Sequence, residues 1–253
     1  MEKQKEEELT FINRFKIVCE FFPAGDVIPP TARKDPPDFV MKSFEHKIRI
    51  EVTKIYKSPF MRWQEGERRS TVDRAEQIYK SNGYSPVRVD VICRDSSQLI
   101  MQVREILATD IAELVAKYLP SVNEFLDMDE DLSTALLFSE SITDIRIARF
   151  AGVNQDSWGM AGMGWTQKDL IDELEGVIDK KSKKILKPKT ICDEYWLLCV
   201  AENMGEASFL DPSEETATHQ YHSNLQRIFF LSLGSDKWIE LRSSSLSIFP
   251  NSK

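Results

Sequence analysis

The chain has 253 residues, 42% of them apolar and 29% charged, an ordinary globular balance with enough material for a substantial core. Thirty-three Lys and Arg against 41 Asp and Glu give a net charge of −8, which argues against an extended nucleic-acid surface but not against a local basic groove. The charged start, Met1-Glu-Lys-Gln-Lys-Glu-Glu-Glu, lacks the apolar run of a secretory signal, and no apolar stretch is long enough to span a bilayer, so a cytoplasmic location is expected.

In chain order, Phe11, Phe15, Val18 and Phe22 recur at helical spacing and predict an amphipathic helix over Glu2 to Phe22. Prolines and a glycine then break the pattern as far as Pro36-Pro37. A short strand begins at Asp38, and a second runs from Lys47 to Tyr56. Alternation there puts Ile48, Ile50 and Val52 on one face and Arg49, Glu51 and Thr53 on the other. The two strands are expected to form a hairpin. A polar loop over 58–69, a helix from Thr71 to Ser81, a strand from Val87 to Cys93 and a helix from Ser96 to Tyr118 follow. Strands are expected over Ala135 to Phe138 and Ile142 to Phe150, then a glycine-rich loop over 151–165. Thr166 and Asp169 read as the N-cap and its partner for a helix reaching Lys184. The apolar run Tyr195 to Ala201 predicts a strand buried on both faces, and Phe229 to Leu233 with Trp238 to Leu241 a closing hairpin.

The four cysteines (Cys19, Cys93, Cys192, Cys199) show no C-x-x-C and do not combine with His46, His219 or His222 at zinc spacing, so ordinary thiols are expected. The chemistry concentrates in Asp38 and Glu51, which the hairpin would bring to one end of a sheet. Converging carboxylates repel unless a cation lies between them, and Mg²⁺ takes one or two carboxylates together with phosphate and water.

The sequence helix, Pro37-Asp38 strand, Glu51-Val52-Thr53 strand, helix, strand resembles the PD-(D/E)XK nuclease superfamily, the restriction-endonuclease-like fold, over about Glu2 to Cys93. The resemblance implies that Asp38 and Glu51 bind Mg²⁺ (or Mn²⁺), with Glu20 as the helix carboxylate that some members add. It also implies phosphodiester hydrolysis of nucleic acid, DNA before RNA. This chain departs from the pattern at the lysine two residues after the glutamate, where Thr53 stands. Lys54 is adjacent but points to the other face by alternation. Lys80, on a polar helix face with Asp73, Glu76 and Gln77, is the expected stand-in.

The cluster Lys180, Lys181, Lys183, Lys184, Lys187 and Lys189, with Arg62, Arg68 and Arg69, supplies candidate phosphate-positioning residues. The combined expectation is one α/β (α+β) domain over 1–253. A single mixed β-sheet flanked by helices would contain a restriction-endonuclease-like core over about 2–95, completed by 96–253. Its function would be that of a metal-dependent nuclease with nucleic acid as partner, no membrane, and room for a homodimer. The alternative is a catalytically inactive protein of the same fold that serves as a binding or assembly module. A third reading makes the apolar glycine loop, Trp158 to Trp165, a partner surface.

Overall fold

The computed structural model describes residues 3–29, 38–42, 46–93, 104–128, 142–152, 154–162, 166–185, 192–203 and 205–245. Its contacts gather into two compact units, one formed by Met1–Ser58, Thr166–Met204 and Ser208–Lys253, the other by Pro59–Trp165 with Gly205–Ala207. The architecture is α+β with a large mixed sheet flanked by helices, as expected. The second unit carries a further sheet that was not anticipated.

In the first unit, β1 (Asp26–Ile28), β2 (Phe39–Lys42), β3 (Lys47–Lys54), β8 (Glu194–Ala201), β10 (Arg227–Ser232) and β11 (Lys237–Leu241) form a six-stranded sheet in the order β1-β2-β3-β8-β10-β11. The β2–β3 and β10–β11 hairpins are antiparallel, whereas β8 runs parallel to both β3 and β10. The apolar run of β8 explains its central place. Trp196, Leu198 and Val200 enter one core, and Tyr195, Leu197, Cys199 and Ala201 enter the other. Only a strand covered on both faces can bury every side chain.

Helix α1 (Lys3–Val18) covers the first of these faces. Its Phe11, Ile12 and Phe15, with Cys19 just beyond, lie on one helical stripe against Ile48, Ile50 and Val52 of β3. Helix α4 (Ile171–Ile185) covers the opposite face through Leu174 and Ile178, with Leu170 just before it. The expected N-cap at Thr166 is not used. Gln167 pairs with Leu210 in an isolated bridge, and Asp169 accepts from the amide of Ile171 at 3.4 Å, which delays the helix start. A two-stranded ladder of β9 (Tyr221–Ser223) and β12 (Ser243–Ser245), with the short α5 (Glu214–Thr218), completes the unit.

In the second unit, β4 (Arg88–Cys93), β5 (Phe125–Met128), β6 (Ile142–Ala148) and β7 (Ser157–Gly162) form a sheet in the order β5-β6-β4-β7. Helices α2 (Pro59–Ser81) and α3 (Arg104–Lys117) bury Val72, Ala75, Ile111 and Val115 in the same core as Val89 and Val91 of β4. Three expectations change here. The polar stretch 58–69 is the first half of α2, because Gln64, Arg68, Thr71 and Val72 continue one buried stripe. The strand at 88–93 belongs to this second sheet and does not join the β2–β3 sheet, where β8 takes the place beside β3. The glycine-rich stretch forms a strand over 157–162, paired in parallel with β4, and Trp158 and Met160 pack on the core of this unit rather than standing out as a partner surface. The strand expected over 135–138 and residues 163–165 lie outside the described residues.

Candidate functional site

The β2–β3 register sets the geometry. Phe39 faces Ile50, so Asp38, one residue earlier, stands opposite Glu51. Directly opposed residues of an antiparallel pair point to the same face, so the hairpin brings the two carboxylates together at the start of β2. The bond from the Val52 amide to Asp38 Oδ2, 2.9 Å long, fixes the aspartate to the neighbouring strand. Asp38 is half-buried, whereas Glu51 is fully buried and faces α4.

Three cations hold these acids. Arg49, on the same side of β3, donates from Nε and Nη2 to Glu51 Oε1 at 3.1 and 2.7 Å, with both side chains buried. Lys5 of α1 donates to Asp38 Oδ1 at 2.6 Å and to Glu8 Oε2 at 2.6 Å. Lys181 of α4 comes from the opposite face of the sheet. Its ammonium lies 3.1 Å from Glu51 Oε2, 3.6 Å from Asp38 Oδ2 and 3.3 Å from the carbonyl oxygen of Val52. One oxygen of each carboxylate is therefore tied back, by Arg49 or by Lys5, while the other points with the Val52 carbonyl at a single cationic centre. Three carboxylates, Glu8, Asp38 and Glu51, balance three cations, Lys5, Arg49 and Lys181.

The Asp38 carboxyl responds to this setting. Burial alone would push it up, but the Lys181 charge, the Lys5 hydrogen bond and the Val52 amide together hold it below its ordinary value. The Lys5 ammonium is raised: burial opposes its charge, and the bonds to Asp38 and Glu8 outweigh that effect.

The donor set suits a hard divalent cation. Two carboxylate oxygens and one backbone carbonyl are the ligand types that Mg²⁺ and Mn²⁺ accept, with water or phosphate completing the shell. Among the described residues no group of three or more His, Cys, Asp or Glu side chains is arranged to hold a metal ion. The fit accordingly rests on two side chains and one carbonyl.

The other expected site residues fall elsewhere. Glu20 is exposed just past the end of α1, fifteen residues from Lys5, or roughly 20 Å at the helical rise, so it is not the acid beside the pair. Glu8, tied to Lys5, is the α1 carboxylate on that side. Thr53 is half-buried opposite Cys199 in the ladder. Lys54 faces away, paired with Glu7 at 2.7 Å and Glu202 at 3.0 Å. Lys80 belongs to the second unit, where it pairs with Glu76 one helical turn back.

The basic residues also separate. Arg68 is buried against Glu206, so it is a structural pair and not a phosphate grip; Arg62 and Arg69 are exposed on α2. On α4, Lys180, Lys183 and Lys184 are exposed, with Lys183 paired to Asp179, while Lys187 and Lys189 lie outside the described residues. Lys181 was expected to be one of several phosphate-positioning lysines. Its distinguishing signal was its spacing, three residues beyond Ile178 on the stripe of Leu174 and Ile178 that faces the sheet. His219 pairs with Glu175 and His222 with Ser244, so neither joins a metal cluster. All four cysteines are free and buried.

Among the described residues no helix is long and apolar enough to cross a membrane. Comparison with known proteins adds no relative: no family model, no curated protein and no solved structure matches the chain.

Proposed function

We propose that the chain is a metal-dependent nuclease, a phosphodiesterase acting on DNA before RNA, in which Asp38, Glu51 and the Val52 carbonyl hold Mg²⁺ or Mn²⁺. The observation that carries this reading is the convergence of those three oxygens on one cationic centre, with a lysine already at it. The order of elements supports the resemblance to PD-(D/E)XK nucleases. Helix α1, the β2–β3 hairpin, helix α4 and parallel strand β8 follow the expected order, with the second unit occurring between β3 and α4 in sequence. Lys181 is then the lysine that the pattern lacks at Thr53.

A bound divalent ion supplies Lewis-acid polarisation of the scissile phosphate and a water acidified towards neutrality. The chain supplies the rest. Arg49 fixes Glu51 so that Oε2 faces the centre, and Lys5 and the Val52 amide do the same for Asp38. Lys181 brings a positive charge to where negative charge develops on the phosphate. Exposed Lys180 and Lys184 on the same helix provide phosphate contacts without base reading.

A second reading, an inactive fold member that binds without cutting, is favoured by the exact match of three acids with three cations, which leaves no net negative charge to attract a metal. Cleavage of single- and double-stranded DNA and RNA with Mg²⁺ or Mn²⁺ separates the two. Metal-dependent cutting lost in Asp38→Asn and Glu51→Gln, with folding retained, establishes the nuclease. Nucleic-acid binding without cutting on any substrate leaves the inactive module.

A further inference from the structure

Lys181 does not stand beside the three converging oxygens; it stands among them. Its ammonium contacts Glu51 Oε2, Asp38 Oδ2 and the Val52 carbonyl, the same atoms that would ligate a divalent ion. The ammonium occupies the point on which the three oxygens converge, so a divalent ion bound by all three would take its place, and at a few ångströms the two cations also repel. We infer that the centre is a two-position cation exchange: the Lys181 ammonium is its resident cation, and a divalent ion enters only as that ammonium withdraws. This rests on the reading that assigns Asp38 and Glu51 to metal binding.

The geometry supports the exchange in three ways. The ligand oxygens are fixed independently of Lys181, by Arg49 on Glu51 and by Lys5 and the Val52 amide on Asp38, so the centre keeps its shape when the lysine leaves. The lysine is the member with room to withdraw. It is a long side chain near the C-terminal end of α4 and about one-fifth exposed, whereas Glu51 and Arg49 are fully buried. The charge also favours one cation at a time: acids and cations balance with Lys181 in place, a divalent ion instead of it leaves an excess of one positive charge, and both together leave two. Without Lys181 the acids Glu8, Asp38 and Glu51 exceed Lys5 and Arg49 by one, and that residual charge draws a metal in. Entry of the ion thus releases a primary ammonium at the site where the phosphate must bind, and metal loading and lysine availability become one event.

The test reads metal binding and lysine release, not cleavage. Calorimetry with Mn²⁺ alone is expected to show Lys181→Met binding at least about tenfold more tightly than the wild type, since a competing charge a few ångströms away is removed. Lys181→Gln repeats the measurement should the methionine variant fail to fold. In the wild type, acylation of Lys181 by an amine-reactive ester, followed by peptide mass spectrometry, is expected to accelerate several-fold with saturating Mn²⁺, while exposed Lys183 on the same helix stays constant. Equal or weaker Mn²⁺ binding by the lysine variants overturns the exchange, as does Lys181 reactivity indifferent to bound Mn²⁺, or an absence of binding in every form. A wild type that cuts nucleic acid while the lysine variants bind metal no more tightly refutes the exchange and keeps the nuclease. Tighter binding in the variants with no cutting by the wild type keeps the exchange and removes the nuclease.

Discussion

Arg49 and Glu51, two residues apart on one face of β3, meet in the interior, with two guanidinium nitrogens on a single glutamate oxygen. A strand normally hides apolar side chains on a covered face; here it hides an ion pair beneath α4. Such a pair costs desolvation and rarely adds net stability, but removing one member strands the other. Its use is directional, since it turns the free oxygen of Glu51 towards Lys181.

Replacement of the arginine is therefore costly. Arg49→Met is expected to lower the unfolding free energy by about 3 kcal/mol in urea titration, the usual loss on breaking a buried pair. The double variant Arg49→Met, Glu51→Leu is expected to recover most of that loss, because no charge is then stranded. A double variant as unstable as the single one would mean that packing, and not charge, sets the cost.

The Asp38 carboxyl gives a pH signature. Its folded value lies below the ordinary 3.8, so the stability it contributes is fully present above that value and is lost as pH falls through the lower, folded one. Lys5 works in the other direction. Raised above 10.5, it contributes stability that is complete below 10.5 and lost as pH rises through its folded value. Asp38→Asn is expected to flatten the acid limb of the stability curve below about pH 4, measured by circular dichroism across pH. An unchanged acid limb would show that Asp38 is not held by its cations in solution.

Much of this was legible in the sequence, and the losses have physical causes. The alternation of β3 placed Ile48, Ile50 and Val52 against Arg49 and Glu51, and the wholly apolar β8 announced a central strand; both are local patterns. The pairing of β3 with β8 was hidden because more than a hundred residues, with a sheet of their own, intervene, and hydrophobic period carries no information about a distant partner. For the same reason the sequence points to Lys80, whereas the lysine in contact with both acids is the distant Lys181. The α2 N-terminus was missed because its buried stripe is written in Gln64, Arg68 and Thr71, polar residues that imitate a loop.

The cysteines offer an independent check on β8 and β4. Burial pushes the Cys199 thiol up to about 12 and the Cys93 thiol up to about 11, so neither carries much thiolate near neutrality. Native protein at pH 8 is expected to resist iodoacetamide at both positions over hours, with labelling by peptide mass spectrometry rising only in denaturant. Rapid native labelling of Cys199 would contradict a strand covered on both faces.

The last prediction sets two lysines against each other. Lys80 is exposed on α2 and bonded to Glu76 at 2.7 Å, an exposed one-turn pair of the kind worth a few tenths of a kcal/mol. Lys181 touches both acids and the carbonyl between the strands. Lys80→Ala is expected to keep both metal-dependent cutting and Mn²⁺ affinity, with a stability loss of about 0.5 kcal/mol or less. Lys181→Ala is expected to lower the cutting rate at saturating metal by a factor of about a hundred or more, the scale of losing a charge that stabilises the transition state, while Mn²⁺ binding tightens. Opposite directions in the two readouts distinguish a lysine that serves the phosphate from one that merely neutralises acids, since loss of the latter would leave cutting intact once metal is bound. Loss of cutting in Lys80→Ala with normal folding would return the role to the helix of the second unit.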